Sequence, residues 1–272
     1  MQAGQGRLMS ALPEYAAYAV RYATTQRRSL DNFLTRNDLH DGPMALDFYF
    51  WLLRGHGRNI VVDTGFSAAS ARARNRRFLL TPCDALAALG LGAGDIGDVV
   101  LTHLHYDHAG NLDLFDRATI HVQEAEMAYA TGRCMCFAPL RHFFSADDVA
   151  ALVRQVYAER VRFHDGSAAL APGVELHRIG GHTPGLQIVR VHTARGWVVL
   201  ASDALHYRRN LADDNPFPAI YNLGDMLHGY ERLRAMASTE DHIVPGHDPE
   251  VARRYPEAAP GIYRLDFDPQ GE

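Results

Sequence analysis

The sequence predicts a mixed α/β protein of α+β type, with β-sheets flanked by helices in one compact domain. Three observations carry that expectation. Apolar, strand-like runs dominate both halves of the 272 residues, patterned helices lie among them, and no Pro/Gly-rich linker separates the halves. Hydrophobic residues make up 47% of the chain, enough for a sizeable core.

The elements follow in order. "YAAYAVRYATT" (15–25) alternates loosely and reads as a first strand, and the polar, turn-rich "RSLDNFLTRNDLHDGPM" after it reads as a covering loop. "LDFYFWLLRGHGRNIVVDTG" (46–65) reads as a hairpin around Arg54-Gly55-His56-Gly57. "TPCDALAALGLGAGDI" predicts a helix started by Thr81-Pro82 and ended by glycines. "DVVLTHLH" reads as a buried strand reaching His105, "ATIHVQ" as a strand and "EAEMAYATG" as a helix. "SADDVAALVRQVYAER" predicts a helix with Ser145 and Asp148 as a capping pair. Strands then dominate in "VRFHDG", "VELHRIG", "LQIVRVHT" and "WVVLASD", before the helix "LGDMLHGYERLRAMAS" and a last strand in "DHIVPGHD". The expected organisation is one domain over 1–272: a strand and covering loop to residue 45, a core over 46–250, and a short tail.

A net charge of −5 speaks against a nucleic-acid partner. Cys83, Cys134 and Cys136 are too few and too oddly spaced for a disulfide framework, so free thiols are expected. The first twenty residues lack the apolar stretch of a signal peptide, and no apolar run reaches membrane-spanning length. A soluble, cytoplasmic protein with no membrane partner is the expectation.

The chemistry concentrates in "LTHLHYDHAGN" (101–111). On a strand, residues two apart point the same way, so His103 and His105 would leave its end side by side as ligands of one ion. Asp107 and His108 follow where the chain turns and could aim at a second. His182 in "IGGHTPG", Asp203 ending "WVVLASD" and His247 ending "HIVPGHD" are further candidates at strand ends. A charged group ending an apolar strand is expensive unless paired or bound to metal. Singly each could be a cap; together with the first cluster they point to a metal site.

"HLHYDH", "GHTPG", "SDA" and "PGHD" resemble the metallo-β-lactamase superfamily over roughly residues 46–250, and "VVDTG" (61–65) matches its first core motif. The resemblance implies an αββα sandwich with two mixed sheets and a dinuclear metal site. It implies that His103, His105 and His182 hold one metal, that Asp107, His108 and His247 hold the other, and that Asp203 bridges them. Asp63 would support the metal loop without binding metal. Two Zn2+ ions suit this donor set, with manganese, iron or cobalt also compatible. Two such ions about 3.5 to 4 Å apart share a hydroxide that can attack a carbonyl.

Within the superfamily, the spacing and the segment 202–248 look most like the N-acyl homoserine lactonases. The implied substrate is a small lactone with an acyl chain, and the implied assembly a homodimer. Such lactonases carry a substrate-binding tyrosine three residues after the bridging aspartate. Here His206 stands at that position with Tyr207 next, so His206 or Tyr207 would steady the carbonyl oxygen and Asp107 move a proton to the leaving group. His206 could equally be a surface histidine. Apolar lining is expected from 47–51, 134–144 or 214–222.

Rival readings weigh less. A glutathione-thioester hydrolase adds a helical C-terminal part, and 25 residues follow His247. A β-lactam hydrolase usually lacks the bridging aspartate. Flavodi-iron redox proteins replace the second histidine by an acid, and His105 is intact. A phosphotriester hydrolase of the same fold, which His206 brings into view, is the alternative. His40, His56, His121, His142, His164, His177, His192 and His228 need no role, and His242 is read as structural.

Overall fold

The computed structural model describes residues 12–36 and 41–271, so His40 and part of the expected covering loop lie outside the described residues. The chain opens with β1 (Ala16–Arg28), β2 (Pro43–Gly55) and β3 (Arg58–Val62). Residues Gly55 and Arg58 pair across the hairpin, so the turn is the two residues His56-Gly57 rather than the four expected. Their φ values of 51° and 72° give the left-handed geometry that matches the twist of a tight hairpin.

Helix α1 (Ala68–Ala73), β4 (Arg77–Phe78) and α2 (Pro82–Ala88) follow. Thr81 caps α2 as its composition predicts, its hydroxyl accepting from the Asp84 N–H at 3.0 Å. Next come β5 (Asp98–Val100), β6 (Thr119–Gln123), α3 (Glu124–Ala130), α4 (Ala138–Arg141), α5 (Ala146–Tyr157) and β7 (Val161–His164). Ser145 caps α5 by accepting from Asp148 N–H. Among the described residues, these seven strands and the C-terminal hairpin β13 (Glu257–Ala259) and β14 (Ile262–Arg264) form one nine-stranded sheet.

A second, five-stranded sheet holds β8 (Ser167–Ala171), β9 (Val174–Arg178), β10 (Gln187–Thr193), β11 (Gly196–Ser202) and β12 (Ile243–Pro245). Helices α6 (Arg208–Ala212) and α7 (Leu223–Met236) precede β12, and α8 (Glu250–Arg254) follows it. Both sheets are mixed: β3, β5, β6 and β7 run parallel, as do β11 and β12, and the other pairs are antiparallel. The alanine-rich β8 escapes the sequence reading because its side chains carry little strand signal, and the terminal hairpin because strands of three residues are too short to show alternation.

The alternation of β2 shows why two sheets stack. Tyr49, Trp51 and Leu53 pack with Leu176, Val189, Val191 and Leu200 of the facing sheet. Phe48, Phe50 and Leu52 point the other way, into a cluster with Ala85, Leu86 and Leu152 of the helices. A strand buried on both faces reads as a continuous apolar run, which is what "LDFYFWLL" is. On the far side, Ile188, Val199 and Ile243 pack against Tyr230 and Leu233 of α7. The result is the four-layer αββα arrangement expected.

One expectation fails. The strand β5 stops at Val100 and does not run on to His105. Leu101 N–H still donates to the His121 carbonyl oxygen at 3.0 Å. The next N–H, of Thr102, instead donates to the Asp63 carboxylate at 2.7 Å. A side chain has replaced the neighbouring strand as partner, and the ladder ends there.

Candidate metal centre

The strands β3, β5, β9, β11 and β12 deliver their C-terminal ends to one edge of the sandwich, and the loops that leave them carry the site. The loop after β5 supplies His103, His105, Asp107 and His108, and the loop after β9 supplies His182. Asp203 directly follows β11, and His247 follows β12. All seven are buried.

Two loops take backbone strain to reach their places. Asp63 after β3 and Ser202 before Asp203 have φ of 62° and 46°, uncommon for residues with a side chain. Asp63 is held there by its own carboxylate. Oδ1 accepts from Thr102 N–H, and Oδ2 accepts from Thr102 Oγ1–H at 2.8 Å and lies 2.7 Å from His108 Nδ1. This is the supporting role expected for Asp63. Ser202 Oγ lies 2.9 Å from Thr102 Oγ1, tying the second sheet to the same point. Gly246 allows the β12 loop to pass Ser202: a Cβ there would lie 2.6 Å from the Ser202 carbonyl oxygen.

The donor atoms fall into two groups about one carboxylate. Oδ2 of Asp203 faces His182 Nε2 at 3.2 Å and His103 Nε2 at 3.8 Å. Oδ1 faces His247 Nε2 at 3.0 Å and His108 Nε2 at 3.2 Å. His105 Nδ1 lies 2.9 Å from His182 Nε2, joining the first group. Asp107 Oδ2 stands 3.7 Å from His108 Nε2 and 3.9 Å from His247 Nε2, joining the second. In each group the ligand atoms lie within 4.8 Å of one another.

The outer ring nitrogens decide the protonation. His182 Nδ1 sits 2.6 Å from the Ala219 carbonyl oxygen and His247 Nδ1 sits 2.8 Å from that of Asp47. A carbonyl oxygen only accepts, so each Nδ1 carries a proton and each Nε2 is the ring atom turned toward Asp203. Lone pairs facing a carboxylate repel unless a proton or a cation lies between. Among the described residues, the inward Nε2 atoms of His103 and His108 are buried with no hydrogen-bond partner. Burial holds the imidazoles of His103 and His105 well below their ordinary pKa and brings that of His182 down to about 4. Burial also lowers His108 and His247, but the neighbouring carboxylates, Asp203 first, raise both above the ordinary value. Five imidazoles and two carboxylates turned inward on a site that favours positive charge fit two divalent ions.

His206 is not a surface residue. Its ring stacks on Phe217 with centroids 3.9 Å apart, and Nε2 lies 3.1 Å from Asp203 Oδ2. Its Nδ1 is buried without a partner among the described residues, and burial brings its pKa down to about 4. Tyr207 goes elsewhere: its hydroxyl donates to the Ala45 carbonyl oxygen at 3.1 Å, and it lines a different cavity beside Arg208 and Glu250. The fold does not bring Tyr207 to the site.

A small pocket of about 120 Å3 opens onto the cluster. Each of the three expected segments contributes to it: Phe48 from the first, Phe143 from the second, Phe217 and Ala219 from the third. Tyr49 and Trp51 are core instead. His142, which the sequence left without a role, lines this pocket too, and it shares the wall of an adjoining groove with Met135, Phe144 and Val153.

Sequence reasoning missed Glu126. Its buried carboxylate accepts from Leu104 N–H at 2.9 Å, Thr183 Oγ1–H at 2.6 Å and Gly185 N–H at 3.2 Å. It therefore clamps the loop of His103 and His105 to the loop of His182. Burial raises its pKa to about 7. The available signal was a carboxylate one residue before Met127 on the apolar side of a short helix.

Comparison with known proteins places this geometry among relatives. The sequence profile of the Metallo-beta-lactamase superfamily matches residues 49–247. A curated N-acyl homoserine lactonase of Bacillus cereus is 27% identical over 82% of this chain and 88% of its own. The crystal structure of a quorum-quenching N-acyl homoserine lactone lactonase superposes with a TM-score of 0.72 at 24% identity, covering 89% of this chain and 95% of that one. AidC, a dizinc quorum-quenching lactonase, superposes with a TM-score of 0.67 at 19% identity over 93% and 94% of the two chains. At those identities the two structures speak for the fold.

Proposed function

This chain belongs to the metallo-β-lactamase superfamily, and from that premise we propose that it is a dinuclear metal hydrolase that opens the lactone ring of N-acyl homoserine lactones. The observation that carries the metal chemistry is the division of donors across Asp203, with His103 and His182 on Oδ2 and His108 and His247 on Oδ1. His105 completes the first set and Asp107 the second. Two divalent ions, zinc by preference for this N/O donor set, would supply a Lewis acid and a hydroxide nucleophile at neutral pH.

The protein's own groups do the rest. Asp107, with its side chain at the pocket wall, is the carboxylate positioned to pass a proton to the departing ring oxygen. His206 lines the same pocket and serves as the polar contact to the substrate carbonyl oxygen, the place of the usual tyrosine. Phe48, Phe143 and Phe217 exclude water, and the adjoining apolar groove suits an acyl chain. The named activity of the Bacillus cereus relative supports the lactone as substrate. His206 also keeps a phosphotriester as the second reading.

The test is proton release by zinc-loaded protein given acyl homoserine lactones of several chain lengths, a phosphotriester and a thioester, with His103→Ala as control. Lactone opening lost in the control is the expected result. Turnover of the phosphotriester with lactones untouched would overturn the substrate assignment and leave the metal site standing.

A further inference from the structure

Three arginines stand in the wall of the pocket over the metal-binding cluster: Arg27 at the end of β1, and Arg74 and Arg76 just after α1. Each is half-buried. Their hydrogen-bond partners are all neutral, and the charge of Asp148 reaches Arg74 only at longer range. Arg27 donates from Nε to Asn32 Oδ1 at 2.7 Å and from Nη2 to the Asp31 carbonyl oxygen at 2.8 Å. Arg74 donates from Nη2 to the His142 carbonyl oxygen at 3.1 Å, and its guanidinium lies 3.8 Å above the Tyr106 ring. Arg76 donates from Nε to the Tyr106 hydroxyl at 3.3 Å and faces the Phe48 ring at 5.8 Å.

Among the described residues, none of the three is ion-paired with a carboxylate. The neighbouring Arg21 and Arg28, by contrast, pair with Asp47 and Asp41. Half-burying a guanidinium without a counter-ion is unfavourable, and three around one small pocket compound the cost. Asp107 and Asp203, the carboxylates of the same pocket, face the imidazole nitrogens and would be neutralised by bound cations. Each guanidinium has five N–H donors. The bonds above leave most of them free, and the aromatic faces hold Arg74 and Arg76 in fixed planes. Oriented forks with free donors are the geometry that takes a carboxylate.

We propose that these arginines form an anion subsite, so that the preferred substrate is an ester or lactone carrying a carboxylate near its scissile carbonyl. The inference rests on the hydrolase reading above and departs from its substrate: an N-acyl homoserine lactone carries no carboxylate, so a tail preference makes a carboxylate-bearing ester or lactone the better substrate.

Two hydroxamates with the same metal-binding head test it: succinic monohydroxamate, with a carboxylate tail, and N-hydroxybutanamide, with a neutral one. Their Kd values for zinc-loaded protein are measured by calorimetry at low and high salt. The carboxylate tail should tighten binding about tenfold, the scale of a charge-assisted bond, and salt should shrink the advantage. Arg27→Gln, Arg74→Gln and Arg76→Gln should each lower the ratio of the two Kd values, while Arg72→Gln, exposed on α1, leaves it. Equal affinities, or variants that weaken both ligands alike, overturn the proposal, because arginines that merely support the fold would move both together. Lactone turnover without a tail preference would sink this inference alone. A tail preference without lactone turnover would sink the lactone reading alone.

Discussion

Asp63 Oδ2 lies 2.7 Å from Nδ1 of His108, and the same carboxylate takes both the N–H and the hydroxyl of Thr102. One buried aspartate therefore orients a histidine of the candidate metal cluster and stops β5 short of His103. Asp63→Asn keeps the size and removes the charge. Metal affinity should fall by about 10- to 100-fold, as for other partners behind a ligand histidine. Competition with a chromophoric chelator measures this, and unchanged affinity would refute the role.

Glu126 joins two loops through three donors, from Leu104, Thr183 and Gly185. Glu126→Ala leaves them buried without an acceptor. Stability should fall by on the order of 3 kcal/mol, with Glu126→Gln recovering part. Urea denaturation of the two variants decides it, and an alanine variant as stable as the parent would refute the clamp.

His206 is assigned a contact with substrate rather than with metal. His206→Phe should keep the stacking on Phe217, lose the 3.1 Å contact to Asp203 and leave two metals bound per chain. Turnover should fall by about a hundredfold, the usual loss for one donor to a developing oxyanion. Elemental analysis that finds a metal missing would make His206 a ligand instead.

Metal removal should destabilise the protein, because the neutral His182 ring, whose Nδ1 holds the proton, then turns a lone pair toward Asp203 with nothing between. Zinc at a hundred times its Kd adds about 2.7 kcal/mol. A melting temperature that does not move between zinc and excess chelator would contradict the site.

Asp98 gives the acid limb. Its carboxylate accepts from His121 Nε2 at 3.0 Å, and with Arg58 this holds its pKa below the ordinary 3.8 despite burial. A depressed folded pKa adds stability above the unfolded value and loses it as pH falls through 3.8 and below. Asp98→Asn should therefore lower stability at neutral pH and flatten the decline on the acid side. Parallel curves for variant and parent would rule this out.

The seven candidate donors on the loops were legible because each lies beside a local signal. "HLHYDH" crowds four donors together, and His182, Asp203 and His247 each follow an apolar run with glycine or proline nearby. The stated reason for pairing His103 with His105 was wrong, however. Strand alternation does not aim them, since β5 ends at Val100 and Asp63 takes over the backbone. Tyr207 was misjudged because adjacent residues in a chain diverge, and its hydroxyl reaches Ala45 while His206 turns to Asp203.

Periodicity, caps and turn residues are short-range properties, so the sequence by itself determined most strands of the sandwich, a hairpin within residues 46–65, the Thr81 and Ser145 caps and the seven candidate donors. Which donors share an ion pocket was left to the tertiary structure. So were the burial of Glu126 between two loops, the turning of His206 onto Asp203, and the gathering of Arg27, Arg74 and Arg76 at one mouth. Those relations join residues far apart along the chain, and only the stacking of two sheets brings their ends to one edge.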